Sequence, residues 1–151
     1  GCFWDEIKYE GIPGIISTEC GYCGGKSPSV SYKQVCNGNT EHVEVVKVEF
    51  DPKIISYEDV TKLFFKFHDP TTLNRQGSNV GYQYRSEIFY NTGEEKEIAE
   101  KILKEINKKL GGKVVTKISK EKNYCKAEEY HQKYLKKNPE YMKICKIPEG
   151  I

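Results

Sequence analysis

The sequence is poor in arginine. Arg75 and Arg85 are its two arginines, so almost all of its 24 basic residues are lysine, balanced by 22 acids to a formal net charge of +2. Lysine makes solvated surface, whereas bidentate phosphate or base recognition favours arginine, so neither charge nor composition implies a nucleic-acid partner. No run approaches the roughly 18 apolar residues of a membrane span, and no apolar leader segment stands at Gly1. Repeats, linkers and low-complexity tracts are also missing, which gives a single domain over residues 1–151. No phosphate-binding loop occurs, and none of the three histidines is placed by sequence to serve Cys2 as a hydrolase base. The pair Cys20-Gly21-Tyr22-Cys23 has the spacing of a redox dithiol and of half a zinc site, but no second CxxC accompanies it. A structural metal, a disulfide or relay, and two unpaired thiols all stay open for it.

Six cysteines are present: Cys2, Cys20, Cys23, Cys36, Cys125 and Cys145. Hydrophobic residues make up 37% of the chain and charged residues 30%, enough apolar surface for a core without a disulfide framework. With no leader segment, this composition points to a reducing, cytoplasmic compartment in which some thiols do chemistry. The periodicity predicts a short helix over 3–10 and a strand from Ile15 to Tyr22 running into a Gly24-Gly25 turn. A single helical turn is expected over Ser31 to Cys36, followed by a strand from His42 to Asp51. Ser56 and Asp59 form a capping box before a helix carrying Val60, Leu63, Phe64 and Phe67. Thr92 and Glu95 begin a second helix with Ile98, Ile102, Ile106 and Leu110 in one stripe. Strands at Ser86 to Tyr90 and Lys113 to Ser119 and a last helix over Lys126 to Lys137 complete the pattern. Strands alternating with amphipathic helices predict an α+β two-layer sandwich: a mixed sheet, helices mainly on one face, and a ferredoxin-like core. The long aperiodic stretch "HDPTTLNRQGSNVGYQYR" between Phe67 and Ser86 is of the kind that carries function.

The opening "GCFW" is the first chemical signal. A thiol acts as a nucleophile only as thiolate, and a cysteine at a helix N-terminus faces backbone N–H groups that favour the anion. Phe3 and Trp4 beside it can form an apolar wall for a small hydrophobic group. Glu44 is the second signal. Strand alternation puts it on the face of Val46, Val48 and Phe50, where desolvation raises a carboxyl's pKa and makes it a proton donor at neutral pH. Tyr32 and Tyr84 lie in segments rich in Gly, Asn and Gln rather than on amphipathic stripes, and a phenol can hydrogen-bond an oxygen while its ring packs on apolar groups.

These pieces resemble the peptide-methionine (S)-S-oxide reductases. The matching segments are "GCFW" at 1–4, "GYCGGKSPSVSYKQVCNGNTEHVEVVKVEFDP" at 21–52, "HDPTTLNRQG" at 68–77, "GYQYRSEIFY" at 81–90 and "AEEYHQKYLKKNP" at 127–139. The resemblance implies Cys2 as nucleophile, Phe3 and Trp4 holding the substrate methyl group, and Tyr32, Glu44 and Tyr84 around the sulfoxide oxygen, with Glu44 as proton donor. It implies reduction of methionine sulfoxide, free or in oxidised proteins, through a sulfenic acid, with thioredoxin or a dithiol as external reductant and no metal or organic cofactor. Asn79 stands at the substrate site where the family usually has Asp. Cys145 is the expected resolving thiol, with Cys20, Cys23 and Cys125 as alternatives, and Cys36 matches a family cysteine regarded as structural. Two rival readings are a thiol peroxidase or disulfide oxidoreductase using Cys2 or Cys20/Cys23, and a zinc-stabilised binding module.

Overall fold

Chain direction at the N-terminus is set by Cys2, which is extended and caps a seven-residue 3-10 helix, Phe3–Tyr9. The computed structural model describes residues 2–141. Strand β1 (Ile15–Cys23) follows and pairs antiparallel with β2 (Val43–Phe50), in register from Ile15 opposite Phe50 to Cys23 opposite Val43, with one irregularity between Ile15 and Ser17. Between them lies α1 (Tyr32–Cys36), a single turn begun by the reciprocal cap of Ser31 and Gln34. Helix α2 (Tyr57–Phe67) starts at the Ser56–Asp59 capping box, as its sequence predicts.

The long aperiodic stretch folds into a two-residue hairpin, β3 (Arg75–Gln76) against β4 (Asn79–Val80), and a 3-10 turn at Tyr82–Tyr84. Strand β5 (Glu87–Tyr90), helix α3 (Gly93–Lys109) and β6 (Lys117–Lys120) then form a parallel βαβ unit. The short β7 (Cys125–Lys126) returns to β1, and α4 (Tyr134–Lys137) follows near the end of the described residues.

The fold is therefore mixed, with several antiparallel pairs, one parallel pair and helices. Among the described residues the strands make three ladders, β2-β1-β7, β3-β4 and β5-β6, where the sequence predicts one mixed sheet. The edges of β2 and β5 face a cavity of about 420 Å³ rather than each other, and α2 lines it through Val60, Thr61 and Phe64.

Two clusters make the interior. Phe3, Cys20, Tyr22, Val35 and Ala127 pack around β1. Phe65, Ile102 and Ile106 join α2 to α3, with Ile98 and Leu110 of the predicted stripe packed against them. On α2 Phe67 of the expected stripe is buried, Phe64 packs against the second cluster while also lining the cavity with Val60, and the most deeply buried residue is Phe65, which the stripe did not include. His68 ties this second layer together. Its Nδ1 donates to the Phe64 carbonyl at 2.5 Å, which leaves Nε2 to accept from Ser86 Oγ at 2.6 Å, and Ser86 in turn meets Thr116 at 2.7 Å. Burial holds this imidazole neutral, with its pKa lowered to about 4.

Three further expectations change in detail. Glu95 does not close a capping box with Thr92; it accepts from the Asn91 N–H at 2.8 Å, while Thr92 caps Glu95. The strand predicted at Lys113 to Ser119 is confined to Lys117–Lys120. The continuous helix predicted over Lys126 to Lys137 is broken into a 3-10 turn at Glu129–His131 and the short α4, with Lys133 left-handed at φ 54°. Tertiary bonds override its helical pattern: Gln132 binds both the N–H and the carbonyl of Cys20, and the Lys133 N–H donates to Glu6.

Candidate active site

Cys2 is buried at 5% exposure. As the cap of the first 3-10 helix its Sγ accepts from the Trp4 N–H at 3.4 Å, and Asn79 on β4 donates to the same sulfur through Nδ2 at 3.2 Å. Two N–H groups, one from the backbone and one from the hairpin, thus converge on this thiol. The nearest acid on the helix, Asp5, is paired with Lys8 at 2.9 Å, and Lys8 is anchored on the Phe67 carbonyl at 2.7 Å.

Glu44 is the second residue of β2 and lies directly opposite Tyr22 on β1. It is 2% exposed. Its Oε1 accepts from the Phe3 N–H at 3.2 Å, so the carboxyl is bonded to the very peptide unit that joins Cys2 to Phe3. Burial pushes its pKa from 4.5 up to about 8, although the Phe3 amide and the neighbouring Tyr84 hydroxyl pull the other way. Cys2 and Glu44 both line the 420 Å³ cavity.

Tyr84 ends the 3-10 turn Tyr82–Tyr84 and Tyr32 begins α1, and each phenol influences the other's titration. The neighbouring Tyr84 hydroxyl lowers the Tyr32 pKa, but burial and the neighbouring Cys36 thiol outweigh it and leave Tyr32 raised to about 12. Burial, then Glu44, pushes the Tyr84 hydroxyl up as well. Glu44, Tyr84 and Tyr32 are thus electrostatic neighbours, and Cys36 at the end of α1 accepts from Gln83 at 3.2 Å.

The remaining residues singled out by sequence fall as follows. Phe3 lies in the β1 cluster, 5.4 Å from Tyr22 and 4.9 Å from the His131 ring. Trp4 is half-buried, stacked on Tyr134 at 5.8 Å with planes 5° apart, and shares a small cleft with Cys2 and Asn79. Cys145 lies outside the described residues. Cys20 and Cys23 are free thiols, both buried, and three residues apart on a strand they point to opposite faces. Cys20 donates to Glu6 at 3.2 Å, and burial, then Glu6, pushes its thiol far up. No group of three or more His, Cys, Asp or Glu among the described residues is placed to hold a metal ion. No helix there is long and apolar enough to cross a membrane. Sequence reasoning missed Tyr134 and Glu128, which touch Trp4 and Tyr32. Neither has a local signal, because the contacts join opposite ends of the chain.

Comparison with known proteins meets this geometry. Residues 1–150 match the family model of peptide methionine sulfoxide reductase. The chain belongs to this family. A peptide methionine sulfoxide reductase from Pelagibacter ubique is 62% identical over 138 residues, spanning 91% of this chain and 94% of that protein. The reduced form of Mxr1 from Saccharomyces cerevisiae superposes with a TM-score of 0.85 at 44% identity, over 92% of this chain and 82% of its own. Mxr1 has also been solved in complex with Trx2; that structure has a TM-score of 0.62 at 29% identity, over 87% of this chain and 78% of its own.

Proposed function

We propose that this reductase acts on the S-epimer of methionine sulfoxide, free or in oxidised proteins, with Cys2 as nucleophile and Glu44 as proton donor. The observation that carries the reading is the shared amide: Glu44 accepts from the N–H of the residue that follows Cys2. An acid held there stands beside the thiol without competing for it.

The N–H groups of Trp4 and Asn79 on Sγ stabilise a thiolate, as does the position at the head of a helix. The thiolate attacks the sulfoxide sulfur, and Glu44, protonated at neutral pH, passes its proton to the departing oxygen. Tyr32 and Tyr84 hold that oxygen while charge develops on it. Loss of the protonated oxygen leaves a sulfur–sulfur bond between Cys2 and the substrate. As that oxygen bonds to the Cys2 sulfur the S–S bond breaks and methionine leaves, so the methionine sulfur gains two electrons and the Cys2 sulfur loses two, becoming a sulfenic acid. Trp4 offers a flat apolar wall to the methyl group, with Phe3 packed behind the site. Asn79, in place of the family Asp, serves the sulfur by a neutral donor. Cys145 then displaces water from the sulfenic acid to form a disulfide, which thioredoxin or a small dithiol reduces. The Mxr1–Trx2 complex supports that partner. No metal or organic cofactor enters these steps, and the cytoplasm is their compartment. The match of the family model to residues 1–150 supports reading the sequence as one reductase domain.

Cys2→Ser abolishes sulfoxide reduction measured with a small dithiol. Glu44→Gln is expected to lower kcat by roughly a hundredfold or more, the usual size of a general-acid contribution, and to remove the loss of rate above about pH 8 expected of the wild type. A variant with the unchanged pH–rate profile overturns the role of Glu44.

A further inference from the structure

We propose that Glu128 is a positioning residue of the reductase, holding the Tyr32 hydroxyl in register with Glu44. The inference rests on Tyr32 being a contact to the sulfoxide oxygen.

Tyr32 is the first residue of α1, a helix of five residues. A helix this short has little stability of its own, and its first N–H groups lack partners within the turn. The Ser31–Gln34 cap closes the turn on itself at 2.8 and 3.3 Å but ties it to nothing else. Val35 packs the turn on the β1 cluster and Gln83 holds its last residue; its first residue is held from 96 residues away, where the Tyr32 N–H donates to Glu128 Oε2 at 3.0 Å. The other oxygen, Oε1, accepts from the Tyr22 hydroxyl at 2.9 Å. Tyr22 is fully buried in β1 and is the direct cross-strand partner of Glu44. One carboxylate thereby joins the element that carries Tyr32 to the strand that faces Glu44.

The bonds suit a charged acceptor. Burial raises the Glu128 pKa, but the Tyr32 backbone N–H, its own N–H and the Tyr22 hydroxyl together hold it below the usual carboxylate range. Tyr130 adds a longer contact to Oε2 at 3.3 Å. The Tyr32 ring is fixed from the side by His131, with centroids 4.5 Å apart. A glutamine at 128 loses the charge, and its NH2 group can meet Tyr22 only if that hydroxyl turns from donor to acceptor, so the charge-assisted link is weakened.

A double-mutant cycle on the full chain tests this, with methionine sulfoxide as substrate and a small dithiol as reductant, so that the resolving thiol does not enter. Tyr32→Phe and Glu128→Gln each lower kcat by roughly tenfold, the weight of one hydrogen bond to a charged centre. The double variant is no slower than Tyr32→Phe alone, because Glu128 acts through that hydroxyl. Losses that multiply, or a Glu128→Gln enzyme at the wild-type rate, overturn the proposal while leaving Tyr32 in its role. If Tyr32→Phe itself runs at the wild-type rate, the oxygen contact is wrong and the proposal falls with it. Should circular dichroism show Glu128→Gln unfolded, Tyr22→Phe replaces it. That variant cuts the link from the β1 side, lowers kcat by about threefold, and adds nothing to Tyr32→Phe; an additive loss overturns the inference.

Discussion

Glu44 shows what single residues disclose and what they conceal. Alternation along β2 put its carboxyl on an apolar face, and that placement alone predicts a raised pKa. The folded value near 8 against 4.5 has a consequence for stability. Between those values the folded protein keeps the proton that the unfolded chain releases. The stabilisation from this group is therefore complete below about pH 4.5 and fades as pH rises through 8. Thermal unfolding compared at pH 5 and pH 8.5 shows Glu44→Gln gaining on the wild type at the higher pH, by at most about 1.4 kcal/mol per pH unit across the window. Asn79 was legible by family resemblance, but its bond to the Cys2 sulfur was not, since it spans 77 residues. Glu128 was illegible for the same reason. Pattern reveals which face a residue takes, not which distant group meets it there.

Elements with both a cap and an apolar stripe were readable. Helix α2 begins where Ser56 and Asp59 bond reciprocally, and Ser56→Ala costs about 1 kcal/mol by urea unfolding. The segment after Lys126 was unreadable, because its amphipathic spacing matched a helix while Gln132 and Lys133 spend their hydrogen bonds on Cys20 and Glu6. Gly25, in the turn after β1, has a role that periodicity does not show. A Cβ there collides with the Thr40 carbonyl and the His42 ring, and His42 leads into β2 two residues before Glu44. Gly25→Ala is expected to destabilise the protein by about 1–3 kcal/mol, with kcat lowered as well; urea unfolding and a steady-state assay measure the two.

At the scale of the molecule, the order and type of most elements followed from sequence, but their assembly into ladders did not, because edge-to-edge pairing leaves no mark in a strand's alternation. Regeneration belongs to this scale too, since the proposed resolving thiol, Cys145, lies at the far end of the sequence from Cys2. Cys145→Ser is expected to complete one turnover per enzyme and then stall with thioredoxin, and disulfide mapping of the wild type by mass spectrometry finds Cys2 joined to Cys145. Steady turnover in that variant assigns the resolving step to another thiol. The opposed, buried placement of Cys20 and Cys23 bears on the same traffic. A catalyst that passes oxidising equivalents through sulfur is exposed to short circuits wherever spare sulfur lies nearby. Dry surroundings and the neighbouring Glu6 act as insulation around Cys20, and the thickness of a β-strand keeps it from closing a dead-end pair with Cys23, which lines the same cavity as the working thiol.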